Sequence, residues 1–278
     1  MDVTTAFLNG DLAEEIYMQQ HPCFVLLGLE SKVCRLYRSF YGLKQAPLYW
    51  NLKIDSLLCA HGFSHIPSEP RVYVLTPESP IFVALYADDL LILSSQLPVI
   101  RTIQQLLHRQ FRMKDQGAVR HFLGLNIQTT ASSVPFILST YLGSLLAAYG
   151  LSSCNLVSTP DNSLPWKFSH PVPADITTYR SIVGTLLLAA NTAGPDIAFV
   201  VSKLSHYLNK PQNIHLAKAK HVLKYLKGTL NCGIVHPKPL QPGTDVSRTG
   251  YCDAVWAGDN KRFVTSGYIL LINNVPIS

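Results

Sequence analysis

Residues 81–93 read Ile81-Phe-Val-Ala-Leu-Tyr-Ala-Asp-Asp-Leu-Leu-Ile-Leu93, and Asp88 and Asp89 are the only charged residues among these thirteen. The flanks are β-branched, aromatic or aliphatic, the composition of core strands, so the run reads as a hairpin with the acidic pair at its tip. Val72 to Leu75 before it reads as another strand, joined through the turn-forming Thr76-Pro-Glu-Ser-Pro80. Adjacent carboxylates between apolar strands are costly unless a positive partner compensates them, because an unpaired buried charge costs several kcal/mol. A divalent metal held by oxygen ligands at the sheet edge is one solution. The plainer alternative is that Asp-Asp supplies turn residues.

Helices are expected around this hairpin. Pro47 stands at a helix start, Leu48, Leu52, Leu57 and Leu58 follow at mostly helical spacing, and Gly62 marks a stop. Ile100, Ile103, Leu106 and Leu107 share one face of a helix over Leu97–Phe111, with Pro98 in its first turn. Further along, Phe122–Gln128 reads as a short strand and Tyr141–Tyr149 as a helix. Three prolines make Asp161–Asp175 a linker or boundary. Tyr179–Ala190 and Ile197–Leu208 read as helices broken at Gly194-Pro195. His215–Lys227 forms a third, capped by Gly228, and Val246–Asn274 holds two strand-like runs around Trp256-Ala-Gly-Asp259.

Composition narrows the classes. The 278 residues are 47% hydrophobic and 14% charged, too apolar for intrinsic disorder. No apolar run is long enough to span a bilayer, so a soluble intracellular protein is expected, with no membrane partner. The six cysteines lack any C-x-x-C pair, which indicates neither a zinc site nor a disulfide framework. The net charge of +6 is unevenly spread. Residues 1–31 carry five acids and no Lys or Arg, whereas Lys203 to Lys227 contains six lysines and no acid. In the last helix Leu216, Ala219, Leu223 and Leu226 form the apolar stripe, leaving Lys218, Lys220, Lys224 and Lys227 as either a solvated face or a sequence-independent phosphate contact. His206, His215 and His221 have no metal-ligand spacing and are expected to be satisfied or surface imidazoles.

The Tyr86-Ala-Asp-Asp89 tetrapeptide has companions. Met1-Asp-Val-Thr-Thr-Ala-Phe-Leu-Asn-Gly10 places another carboxylate at the head of an apolar stretch, and Tyr41-Gly-Leu-Lys-Gln-Ala-Pro-Leu-Tyr-Trp50 lies between them. In this order they resemble motifs A, B and C of a copia-type LTR retrotransposon reverse transcriptase. Phe122-Leu-Gly-Leu-Asn-Ile127 resembles the primer grip, Tyr179-Arg-Ser-Ile-Val-Gly184 with Pro195-Asp-Ile-Ala198 the thumb, and Lys224-Tyr-Leu-Lys-Gly-Thr229 the connection helix. Tyr251-Cys-Asp-Ala-Val-Trp-Ala-Gly258 resembles the first ribonuclease H strand.

The resemblance implies an α+β fold. Residues 1–128 would be the reverse transcriptase palm, an antiparallel sheet backed by helices; 129–245 the thumb and connection; and 246–278 the incomplete start of a ribonuclease H-like domain. It implies RNA-directed DNA synthesis with two Mg²⁺ ions at Asp2, Asp88 and Asp89, of which Asp2 and Asp88 are the expected direct ligands, joined by the Val3 carbonyl. Thr5 and Ala6 would face the triphosphate through backbone N–H groups. Phe7 would exclude a ribose 2′-hydroxyl, the alternative being a plain core aromatic. Gln45 and Ala46 would contact the incoming nucleotide, the alternative for Gln45 being a helix start. Tyr86 and Ala87 are a strand residue and a small residue near the primer end, and Phe122, Leu123 and Gly124 the primer grip. Lys114 is too loosely spaced to be assigned as a motif-D lysine. Asp253 matches the first ribonuclease H carboxylate, without the further acids cleavage needs; Asp259 reads as a turn residue. Partners implied are an RNA or DNA template-primer and dNTPs, with other Pol or Gag products. Because the fingers that precede motif A in the family are missing before Met1, weak or absent polymerase activity of the isolated chain is expected. A remnant that at most binds nucleic acid is the competing reading.

Overall fold

The computed structural model describes residues 1–76, 80–162, 164–166, 170–238, 246–255 and 265–277. The chain divides into two compact units, Met1–Val119 and Arg120–Ser278. Both mix helices with antiparallel sheets. Residues 77–79 of the expected turn and the run Trp256 to Asp259 lie outside the described residues.

The first unit is built on six strands: β1 (Asp2–Val3), then, after the hairpin β2 (Asp11–Gln19) and β3 (Val33–Arg38), β4 (Ser64–Ile66), β5 (Glu69–Leu75), β6 (Ile81–Tyr86), β7 (Asp89–Leu93) and β8 (Met113–Lys114). The sheet order is β4-β5-β6-β7-β1-β8, and β2 and β3 pair separately. Alternation decides which face is buried: Ile81, Val83 and Leu85 of β6 are nearly inaccessible, whereas Phe82 and Ala84 between them are half-buried. Helix α1 (Ala46–Ala60) covers the inner face with Ala46, Trp50, Ile54 and Leu58, a strict four-residue repeat. Helix α2 (Leu97–Gln110) adds Ile103 and Leu107, and Phe111 closes the cluster edge-on to Trp50. Each such aliphatic side chain contributes about 1.5–3 kcal/mol on burial. Both helices thus agree with the expected spans to within a turn.

Gly10 is required by close approach. A Cβ there would stand 2.7 Å from the Tyr49 Cβ and 3.0 Å from the Trp50 nitrogen. The chain therefore passes directly over the first turns of α1. The β2–β3 hairpin carries much of the acidic N-terminal charge, and that charge is locally paired: Asp11 with Lys53 at 2.6 Å and Glu15 with Arg35 at 2.9 Å.

The second unit holds a four-stranded sheet, β12-β11-β10-β9, from β9 (His121–Phe122), β10 (Leu125–Ile127), β11 (Ser133–Ile137) and β12 (Gly233–Pro237). The single strand expected over Phe122–Gln128 is instead a tight hairpin. Leu123 and Gly124 take positive φ (50° and 81°), which reverses the chain between β9 and β10. Helices α3 (Ser139–Ala148), α4 (Ile176–Thr192), α5 (Ala198–Ser205) and α6 (Asn213–Gly228) pack around one apolar cluster containing Tyr179, Ile182, Leu186, Val201, Leu204 and Leu223. The break at Gly194-Pro195 leads into a 3₁₀ turn, Pro195–Ile197, so α5 starts later and ends earlier than the expected Ile197–Leu208. Gly228 is the last helical residue of α6 and Thr229 follows as its cap. A three-stranded sheet of β13 (Arg248–Val255), β14 (Thr265–Ile272) and β15 (Val275–Pro276) ends the described chain.

The proline-rich Asp161–Asp175 segment lies inside this unit. Its described residues are irregular but fastened to α6. Asp161 and Asn162 meet Lys218, the Trp166 carbonyl lies 3.0 Å from His215 Nε2, and Pro173 bridges to Gln212. Asp175 then caps α4, accepting from the Thr177 and Thr178 N–H groups. Among the described residues no helix is long and apolar enough to cross a membrane.

Candidate active site

The acidic residues meet where β1 enters the sheet. Asp2 stands directly opposite Asp89 of β7 on one side and Lys114 of β8 on the other. The Val3 N–H donates to the Asp88 carbonyl at 2.9 Å and the Leu90 N–H to the Met1 carbonyl at 2.8 Å. Directly opposed residues of antiparallel strands project to the same face, with Cα atoms about 4.5–5.5 Å apart. Backbone pairing alone therefore brings Asp2 beside the tip of the β6–β7 hairpin, 86 positions along the chain from Asp88.

The three acids differ in exposure. Asp88 is exposed, whereas Asp2 and Asp89 are half-buried. Burial raises the Asp89 carboxyl above its ordinary range, and the neighbouring charges of Asp88 and Asp2 push it further, partly opposed by the Met1 ammonium. This mutual repulsion marks a site short of positive charge, and three carboxylates make the oxygen-only donor set suited to Mg²⁺. They are not drawn as close as a single ion would draw them. Among the described residues, the trio of metal-type ligand atoms within 4.8 Å of one another belongs to Asp55, Cys59 and His65.

The hairpin tip is held from below. Ala87 has a φ of 52°, unusual for a residue with a Cβ, and its carbonyl accepts the Trp50 indole N–H at 2.7 Å. Trp50 was quoted within the motif-B run but given no role. Its signal was available: it lies on the Ala46, Ile54, Leu58 face, and a buried indole N–H needs an acceptor. Lys114, too loosely spaced in sequence to be assigned, is exposed on the strand beside Asp2; its place in the sheet depends on pairing between distant segments.

The remaining residues of the first unit surround this edge. Val3 and Ala6 are 1% exposed and belong to the core. Thr5 is exposed with a φ of 56° and precedes the 3₁₀ turn Ala6–Asn9. Phe7 is half-buried against Tyr41, ring centroids 4.8 Å apart, and its carbonyl accepts the Ser39 hydroxyl. Gln45 is the residue preceding α1, without a side-chain capping bond, and Ala46 is buried beneath it.

In the second unit Leu123 and Gly124 form the β9–β10 turn, with Leu123 48% exposed and Phe122 half-buried. The four lysines of α6 are unlike one another. Lys218 is 1% exposed; its ammonium pairs with Asp161 at 2.8 Å, donates to both oxygens of Asn162, and lies 4.4 Å from the Trp166 ring centre. It is thus a structural pin, which corrects its expected place among solvent-facing phosphate ligands. The cause is Asp161, Asn162 and Trp166, which lie over that face. Lys227 is half-buried and donates to the Cys154 carbonyl, Lys224 is half-buried, and Lys220 is exposed. His215 and His221 are satisfied by the Trp166 and Thr159 carbonyls. Asp253 is exposed on β13, its carboxylate accepting the Ala254 N–H at 2.8 Å. Asp259 lies outside the described residues.

Comparison with known proteins fits this geometry. The model of the reverse transcriptase (RNA-dependent DNA polymerase) family matches residues 1–163, and the chain belongs to that family. It is similar along its whole length to copia-type retrotransposon proteins. It is 38% identical to the putative transposon Ty5-1 protein of Saccharomyces cerevisiae, covering 91% of that protein. It is 34% identical to the retrovirus-related Pol polyproteins from transposon RE1 of Arabidopsis thaliana and transposon TNT 1-94 of Nicotiana tabacum. The chain spans only 19% and 22% of those two polyproteins.

Proposed function

We propose that this chain carries the polymerase centre of a copia-type reverse transcriptase, adding dNTPs to a primer on an RNA or DNA template. The observation that carries the reading is the register of Asp2 opposite Asp89, with the Val3 N–H locked onto the Asp88 carbonyl. Asp2, Asp88 and Asp89 would hold two Mg²⁺ ions, which when bound supply a deprotonated primer 3′-hydroxyl and charge neutralisation at the phosphates. The Val3 carbonyl would add a ligand. The sheet keeps the carboxylates on one edge, and Trp50 fixes the tip that bears Asp88. The exposed backbone at Thr5, with Ala6, would take the triphosphate, Phe7 would lie against the sugar, and Gln45 and Ala46 would border the base. Since Ala46 is buried, it would act through its backbone. Lys114, exposed on the strand beside Asp2, would be near enough to meet the pyrophosphate.

On this reading residues 1–128 correspond to the palm, 129–245 to the thumb and connection, and 246–278 to the start of a ribonuclease H-like domain bearing Asp253. The Phe122-Leu123-Gly124 turn would be the primer grip. Lys220, Lys224 and Lys227 remain for the nucleic-acid backbone.

Primer extension on poly(rA)·oligo(dT) with dTTP and Mg²⁺ tests the proposal. Slow, distributive incorporation that disappears with EDTA and in Asp88→Asn supports it. Incorporation equal in wild type and Asp88→Asn, or none from either, contradicts it and leaves nucleic-acid binding as the activity of the chain.

A further inference from the structure

We propose that Asp55, Cys59 and His65 form a second metal site, for a zinc-type transition-metal dication, independent of the three-aspartate centre. Asp55 and Cys59 are four residues apart on α1 and so share a face of the helix. After Cys59 the chain reverses at Gly62, whose N–H donates to the Cys59 carbonyl, and runs into β4, which bears His65. Three ligand types from two elements thereby converge. His65 Nε2 lies 2.8 Å from Asp55 Oδ1, Cys59 Sγ lies 3.7 Å from the same oxygen, and all three ligand atoms fall within 4.8 Å. Ligands of a tetrahedral ion with bonds of about 2.0–2.3 Å stand roughly 3.3–3.8 Å apart. The cluster needs only a small opening of the His65–Asp55 gap to admit one.

Two further contacts orient the ligands. His65 Nδ1 is 2.7 Å from the Pro70 carbonyl, and a carbonyl can only accept, so Nδ1 carries the proton of that bond. Nε2 faces the Asp55 carboxylate oxygen at 2.8 Å, a contact that a ring proton or a bound dication would bridge. A histidine oriented through its other nitrogen by a backbone carbonyl is the usual arrangement behind a metal ligand. The second is Tyr73, the cross-strand partner of His65, whose ring lies 4.7 Å from the imidazole. It is fully buried, and its hydroxyl is turned towards Asp55, so the ring packs the imidazole and the carboxylate against each other.

Thiolate, imidazole and carboxylate together select Zn²⁺ or Co²⁺ over Mg²⁺. Cys59 is fourteen residues beyond Gln45, about 21 Å along the helix axis, so the site serves a different end of α1 from the polymerase edge. Its effect would be to tie the end of α1 to β4, the edge strand of the sheet.

Co²⁺ titration of the reduced, metal-stripped chain 1–278 tests this. The expected result is one equivalent bound, with tetrahedral d–d absorption and a thiolate-to-cobalt charge-transfer band, both lost on adding Zn²⁺. Cys59→Ser should abolish the charge-transfer band and His65→Ala should weaken binding at least tenfold. A variant with Cys23, Cys34, Cys154, Cys232 and Cys252 changed to Ser should keep the band. No charge-transfer band in wild type, or a band that persists in Cys59→Ser, overturns the proposal.

Discussion

The indole N–H of Trp50 donates to the Ala87 carbonyl at 2.7 Å, joining the buried face of α1 to the turn that presents Asp88. Ala87 adopts a left-handed conformation that costs an L-residue about 1–2 kcal/mol, so the tip depends on support from outside the hairpin. Trp50→Phe keeps most of the packing but leaves that carbonyl unpaired, a penalty of about 1–3 kcal/mol. Thermal unfolding should register the loss. Primer extension should slow at least about tenfold, the kinetic equivalent of about 1.4 kcal/mol, because Asp88 is no longer held in place. An unchanged rate would mean that the tip is fixed by the strands alone.

Gly10→Ala should destabilise the first unit by about 1–3 kcal/mol, the usual cost of overpacking. Its new methyl group would press on the Tyr49 Cβ and on backbone at Trp50, neither of which can swing aside. Urea denaturation measures the change, and a neutral result would show that the β2–β3 arm stands further from α1.

Lys218→Ala should cost the second unit about 2–4 kcal/mol, below or near the range for breaking buried pairs because Asp161 keeps 36% of its side chain in solvent. Lys220→Ala, at an exposed position, should be near neutral in stability and should weaken salt-sensitive binding to nucleic acid. The opposite ranking of the two variants in urea would contradict the pin at Lys218.

Acid should weaken the second unit through His215. Burial holds its imidazole below the ordinary value of 6.5, against the Trp166 carbonyl and together with the Lys218 charge. Below 6.5 the unfolded chain gains a proton that the folded chain resists. Stability is therefore complete above that pH and is lost as pH falls towards the depressed folded value. His236, also lowered by burial, adds the same sign. The slope of unfolding free energy between about pH 7 and 5.5 should shrink in His215→Gln without vanishing. A slope of opposite sign in wild type would refute the assignment.

Much of this was legible before any coordinates. Strand-like composition marks β6 and β7 and helical spacing marks the spans of α1 and α2, but Leu48 and Leu52 of the expected α1 stripe are exposed, and the face that packs on the sheet is Ala46, Trp50, Ile54 and Leu58. What depended on distant pairing was not. β1 is two residues long, and no local pattern announces that it enters the sheet between β7 and β8. The β2–β3 hairpin is largely solvent-exposed and has no alternation to betray it. Leu123 hid a turn by adopting positive φ without being glycine. Lys218 reads as a surface charge since lysines seldom lie buried, and its partners Asp161, Asn162 and Trp166 come from a stretch more than fifty residues away. Cysteine spacing pointed away from zinc, whereas the Asp55–Cys59–His65 cluster forms across a helix and a strand.

The central claim is that Asp2, Asp88 and Asp89 form one metal centre. Anomalous diffraction from crystals of the chain with Mn²⁺, primer-template and a non-hydrolysable dNTP tests it most directly. Two peaks about 4 Å apart, bounded by the Asp2 and Asp88 carboxylates, are expected. Manganese absent from these three acids, while the nucleotide is bound elsewhere on the chain, would contradict it.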